Sequence, residues 1–283
     1  MNRRNFLKTT TLAATLAMPA LTAKAAVGAT PAAPFAPSPE AGWRTFELTS
    51  HIEPQLTDGV LRAWVPLPSV DAAEWFRPMG NLWQGNASVM RVETDPVYGA
   101  SMLYAEWAPD TAKPQLEVVS RFATRDRAID FSRPAASPVE LSAAEFDLYT
   151  RATELLPTDG IVRDTALEIT RGASTDEDKA RAIYEWVVDN TFRNPKTRGC
   201  GVGDIRTMLE TRDLSGKCAD LNTLYVGLAR AVGLPSRDVY GVRVADSRFG
   251  YKSLGKSGDV SKAQHCRAEV FLSRFGWVPV DPA

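Results

Sequence analysis

Cys218 follows Ser215-Gly216-Lys217 and opens a run in which Leu221, Leu224, Tyr225, Leu228 and Val232 recur at the spacing of one helix face. Gly233 and Pro235 then stop the pattern, because glycine adopts the left-handed cap conformation and proline cannot extend the hydrogen-bond ladder. The spacing predicts a helix with Cys218 in its first turn and Ser215 as its cap. Unpaired amide N–H groups and the neighbouring Lys217 cation would favour the thiolate there over the thiol. Downstream, the runs 264–272 and 276–281 flank a Ser273-Arg274-Phe275-Gly276 turn and read as a β-hairpin. His265 begins the first strand and Asp281 ends the second, so antiparallel pairing can bring the two side chains together. Cys218, His265 and Asp281 are then the thiol, base and orienting carboxylate of nucleophilic catalysis.

Four ordered pieces carry a family resemblance: Gly216-Lys217-Cys218; the stretch 228–237 with Val239 and Gly241; His265 with Glu269; and Gly276-Trp277-Val278-Pro279-Val280-Asp281. Together they resemble the transglutaminase-like superfamily. The resemblance implies a papain-like α+β fold over roughly residues 161–283, with the cysteine-bearing helix packed on an antiparallel sheet. It implies acyl transfer from an amide or peptide through a thioester on Cys218, ending in hydrolysis (a peptidase or amidase) or in transfer to an amine (protein cross-linking). No metal or cofactor is required by that chemistry. The amide N–H of Cys218 is one oxyanion donor, and the sequence does not identify a second. One departure is Arg267, two residues after the histidine, where the family often has an aromatic residue; it bears on acyl-group specificity.

Two other readings compete. A non-catalytic periplasmic binding or assembly protein could retain the fold with an idle triad. A zinc site could collect Cys200, Cys218, His265 and Cys266, but no pair has Cys-x-x-Cys spacing, and adjacent strand residues point to opposite faces. By that alternation Cys266 reads as a small buried apolar residue. Whether Cys200 pairs with Cys266 is open. Three cysteines leave at least one free thiol even in an oxidising compartment.

The elements that must position these residues are embedded in a chain of 283 residues with ordinary globular composition, 44% hydrophobic and 24% charged. Arg3 and Arg4 precede an apolar run over 12–21 and an Ala23-Lys24-Ala25 cleavage site, a secretory signal over residues 1–25 that resembles the twin-arginine type, with an ordinary Sec signal or an uncleaved anchor as the alternatives. It implies recognition by the twin-arginine export machinery and a periplasmic or secreted mature protein. Loss of its four basic residues leaves 29 basic against 34 acidic, a net charge of about −5. That balance excludes a nucleic-acid partner and gives no reason to hold anionic lipid. Past the signal, no run is long and apolar enough for a stable membrane span.

Residues 26–42, rich in Ala and Pro, read as a flexible linker. Five alternating runs, 46–52, 60–66, 88–93, 102–107 and 116–122, predict a β-sandwich-like domain over 43–127. Its tryptophans read mainly as core and His51 as a half-exposed strand residue with no nearby carboxylate or thiol. Residues 128–160 form a connector with a helix over 142–155; a second short helix follows near 161–169. A third begins at a Ser174–Glu177 capping box. The glycine-rich stretch 197–204 follows no strand and reads as a cleft wall rather than a phosphate loop. The loop 243–262 reads as a rim or lid before His265. Only Pro282 and Ala283 follow Asp281, leaving the aspartate at an end that frays unless further chain completes the sheet.

Overall fold

Strands with alternating patterns build the first part of the fold. The computed structural model describes residues 42–55, 59–244 and 258–283; the signal, nearly all of the linker and most of the loop preceding His265 lie outside the described residues. β1 (Arg44–Ile52), β2 (Leu61–Pro66), β3 (Phe76–Gly85), β4 (Val89–Thr94), β5 (Ser101–Trp107) and β6 (Leu116–Thr124) form two three-stranded antiparallel sheets, ordered β1-β6-β3 and β2-β5-β4. Leu116 and Val118 of β6 meet Leu103, Ala105 and Trp107 of β5 in the core between them. β3 was not predicted: Pro78 and Gly80 interrupt its pattern, and the register with β6 shifts between them.

The tryptophans divide. Trp107 is fully buried and its indole N–H donates to Asn86 Oδ1 at 3.0 Å, whereas Trp64 is exposed and sits edge-on to Tyr104. The expectation that His51 has no carboxylate nearby is corrected. The β1–β6 register places it opposite Glu117, with Nδ1 3.1 Å from Oε2.

The helices follow. α1 (Ala143–Thr150) is shorter than the predicted 142–155, because the backbone turns extended at Arg151; Ser142 and Glu145 form its capping box. α2 spans Gly160–Ile169 and α3 spans Asp176–Asn190. The cap of α3 is Thr175, whose hydroxyl accepts from the Asp178 amide at 3.1 Å, rather than the Ser174–Glu177 box. A two-residue strand β7 (Phe192–Arg193), an unpredicted short helix α4 (Ile205–Thr211) and β8 (Ser215–Gly216), parallel to β7, lead into α5 (Cys218–Ala231).

Every residue of α5 is buried. A helix with no exposed face needs neighbours all round, and α5 has them in α1, α2, α3 and α4 and in the antiparallel sheet of β9 (Ser236–Val242), β10 (Gln264–Leu272) and β11 (Gly276–Val280). As predicted, the helix ends before Gly233, which adopts φ +82° while Leu234 N–H returns to the Ala229 carbonyl at 2.9 Å. Arg230, also buried, ties this end down by donating to the Ser236 and Arg151 carbonyls at 2.9 and 3.0 Å.

On strand β10, Ala268, Val270 and Leu272 join the apolar core with α5, while Glu269 alternates to the other face. Its side chain is completely buried and accepts from Arg127 at 2.9 Å, from Arg237 at 2.7 and 2.9 Å, and from Arg267 at 3.5 Å. Arg237 lies over Trp277, and Arg127 and Arg267 lie over Trp75, so aromatic faces share the excess positive charge. Arg267, the departure from the family pattern, is therefore built into this cluster.

Candidate active site

The first turn of α5 is fastened by a carboxylate. Asp220, buried at the third helical position, accepts the Lys217 amide at 2.9 Å with Oδ2, and the Val202 and Gly203 amides at 2.8 and 2.9 Å with Oδ1. Lys217 is thus the N-cap and the predicted cap Ser215 lies in β8, because a carboxylate reaching back from inside the helix satisfies the amides that a capping hydroxyl would have taken. Gly201 sits against this carboxylate at φ +106°; a Cβ there would fall 2.0 Å from Asp220 Oδ2. The glycine-rich stretch is consequently clamped on the helix start, and the Cys200 carbonyl accepts the Ala219 amide at 2.9 Å.

The hairpin delivers the other two residues. Ala268 pairs with Val280, which carries Asp281 past the end of β11 and toward the start of β10. There His265 Nε2 and Asp281 Oδ2 are 2.6 Å apart. Asn222, one turn along α5 from Cys218, was not singled out in the sequence. Its Nδ2 donates to the Cys218 and Cys266 carbonyls, both at 2.9 Å, and to Asp281 Oδ1 at 3.2 Å. One amide therefore links helix, strand and carboxylate. The available signal was an Asn at i+4 from the cysteine on an otherwise apolar helix face, where a polar group needs partners.

The charges follow from this geometry. Asp281 first, then Cys218, raises the His265 imidazole from its ordinary 6.5 to about 9, against the opposing effect of burial. Cys218 is lowered from 9.0 to about 3, chiefly by its hydrogen bond with Cys266 and then by His265 and Cys200, with burial opposing. A thiolate–imidazolium pair is the favoured form between those values. His265 Nδ1 is buried and makes no hydrogen bond, while Nε2 is held by Asp281. Nδ1 is thus the imidazole nitrogen without a hydrogen-bond partner.

Cys266 is buried, as expected from strand alternation, but it is not inert. Its thiol is pushed far above the ordinary range, first by Cys218 and then by burial, so it stays protonated beside the thiolate. Cys200 is raised by burial and by Cys218. The sulfurs of Cys200, Cys218 and Cys266 all lie within 4.8 Å of one another, and none is in a disulfide. Sequence spacing and strand alternation argue against a metal site, yet three of its four candidate residues converge.

Residues 163–282 match the pattern of the transglutaminase-like superfamily. The chain is 35% identical over 256 residues to an uncharacterized protein of Haemophilus influenzae, covering 85% of this chain and 67% of that protein. This chain belongs to the transglutaminase-like superfamily. Among solved structures it is similar to a candidate cysteine protease of Cytophaga hutchinsonii, with a TM-score of 0.63 at 13% identity, covering 85% of this chain and 77% of that one. It is also similar to the periplasmic domain of TgpA from Pseudomonas aeruginosa, with a TM-score of 0.44 at 15% identity over 83% and 93% of the two chains. The superfamily match begins at α2, so the six strands β1–β6 precede it. Among the described residues, no helix is long and apolar enough to cross a membrane.

Proposed function

We propose that this member of the superfamily is a thiol-dependent acyl-transfer enzyme acting on peptide or protein amides, with hydrolysis as its principal outcome. Cys218 Sγ attacks the amide carbonyl carbon. His265 gives its proton to the departing amine as the C–N bond breaks, leaving a thioester on the sulfur. Water, deprotonated by His265, attacks the thioester carbonyl and releases the carboxylic acid and the thiol; an amine in place of water gives transamidation. Asp281 keeps the imidazole oriented and favours its charged form. The observation that carries this reading is the 2.6 Å His265–Asp281 contact beside a thiol lowered to about 3. The strands over 43–127 serve as an accessory domain to the catalytic domain over 161–283. The twin arginines and the apolar run after them support export through the twin-arginine route and a periplasmic or secreted site of action.

The test is activity-based labelling of the intact mature chain with an iodoacetamide probe at pH 5 and 7, with the adduct located by mass spectrometry. A thiol of ordinary pKa slows about a hundredfold over that drop in pH, whereas Cys218 keeps most of its rate. Labelling confined to Cys218, together with loss of amide hydrolysis in Cys218→Ser, supports the enzyme. Equal, slow labelling of all three cysteines would favour a binding protein with an idle triad.

A further inference from the structure

Three sulfurs from three separate parts of the fold meet at one point. Cys200 comes from the glycine-rich segment clamped by Asp220, Cys218 from the start of α5, and Cys266 from β10. Acyl transfer needs only one of them. A thiolate bonded to zinc lies about 2.3 Å from the metal, which sets three such sulfurs roughly 4 Å apart. Mutual separations within 4.8 Å therefore need a contraction of less than about 1 Å to enclose an ion.

We propose that Cys200, Cys218 and Cys266 form a binding site for a soft thiophilic cation, Zn(II) or Cu(I), whose occupation caps the sulfur of Cys218. The ligand set selects that class: all three donors are sulfur, and the hard oxygen donors that Mg(II) and Ca(II) demand do not belong to the cluster. Three thiolates around Cu(I) satisfy a trigonal ion. Around Zn(II) they leave a fourth position open. Three thiolates exceed the charge of either ion. The residual negative charge sits at the first turn of α5, where the positive end of the helix dipole favours an anion.

Binding is not a redox step. The Cys200 and Cys266 thiols each release a proton to solvent, Cys218 contributes the thiolate it already carries, and three metal–sulfur bonds form. Only the consequence for catalysis rests on the acyl-transfer reading: a sulfur whose electron pair is shared with the metal inside the cluster is a much weaker nucleophile toward a carbonyl, so the ion acts as a reversible inhibitor.

The experiment uses the full mature chain without an affinity tag, reduced with a phosphine. The chain holds three cysteines in all, so thiolate-to-metal bands report on this cluster alone. Titration with Co(II) as the spectroscopic probe, then displacement by Zn(II), should give one equivalent per chain with sulfur-to-cobalt charge-transfer bands. Cu(I), delivered from a competing chelator, should also bind at one equivalent. Either ion should protect Cys218 from iodoacetamide until a chelator is added. Cys200→Ser and Cys266→Ser should each weaken binding by about a hundredfold or more, with circular dichroism confirming that the variants fold. Cys200, being half-buried, is the less tied to folding.

Absence of charge-transfer bands, or affinity unchanged in a folded Cys200→Ser variant, would overturn the proposal. So would the loss of two thiols to a disulfide in place of metal uptake under these reducing conditions. Metal uptake without amide turnover by the metal-free protein would sink the enzyme reading and leave the site standing; turnover without uptake would do the reverse.

Discussion

Replacing Asp281 with asparagine keeps the shape of the contact and removes its charge, which makes it the sharpest probe of the His265 pair. The rise of the imidazole from 6.5 to about 9 corresponds to about 3 kcal/mol of preference for the charged ring, with Asp281 the largest contributor and Cys218 the next. The His265 side chain is 24% exposed, so screening by solvent makes that figure an upper bound. The chain has two histidines, so the Cε1–H resonances of His265 and His51 can be followed separately across pH, with His51→Gln supplying the assignment. The midpoint of His265 should lie near 9 in the unaltered protein and fall by more than about one pH unit in Asp281→Asn, while Cys218→Ala should produce a smaller fall. A raised imidazole pKa stabilises the fold fully below 6.5, and this contribution fades as pH rises through about 9. The melting-temperature gap between the two proteins should therefore be wider at about pH 6 than at about pH 10. A midpoint unmoved by the substitution, or a larger response to Cys218→Ala, would refute the assignment of Asp281 as the orienting group.

Other substitutions probe the scaffold. Asn222→Leu removes the donor shared by the Cys218 and Cys266 carbonyls and Asp281; it should cost about 2 kcal/mol by denaturant melting and lower the His265 midpoint less than Asp281→Asn does. Gly201→Ala forces a Cβ onto the Asp220 carboxylate at a left-handed backbone position, and should destabilise by at least about 2 kcal/mol, more than Gly199→Ala at φ +58°, where no atom lies within 4 Å of the added carbon and left-handed strain alone costs about 1 kcal/mol. Glu269→Gln leaves three buried or half-buried arginines without their anion and should cost about 3–5 kcal/mol, read as a fall in urea midpoint at constant slope. In Cys266→Ala the acid limb of Cys218 alkylation should move upward from about 3, because the largest stabiliser of the thiolate is gone.

What could be read from the residues was whatever depends on local period and punctuation. α5 was legible because its apolar spacing ends at Gly233 and Pro235, and the hairpin because a glycine-containing turn separates two apolar runs. From these two elements the meeting of His265 with Asp281 followed by strand pairing alone. β3 was lost because proline and glycine break its alternation, and α4 because seven residues carry too little period to register. The start of α5 was misplaced by two residues at its cap, since the group that satisfies its amides lies inside the helix and draws on a loop fifteen or more residues upstream.

The sulfur cluster exposes a limit of the alternation argument. Adjacent strand residues do point to opposite faces, and Cys266 is buried while His265 is half-exposed, as that rule requires. Exclusion of a shared site would follow only if a third group had to lie over one face of the strand. Cys218 enters instead at the helix start, near the beginning of β10, where Cys266 and His265 both act on its sulfur. The same polar residues that fix this helix start, Asp220 and Asn222, sit on a helix buried on every side and bond to a loop, a strand and a carboxylate. Burial that would penalise a lone thiolate is offset by the Cys266 thiol and amide, by His265 and by Cys200, which these anchors hold around the Cys218 sulfur. Loosening either anchor should alter the chemistry of Cys218 and the stability of the core together, whereas substitution at Lys217, whose side chain enters none of these contacts, should leave stability within about 0.5 kcal/mol.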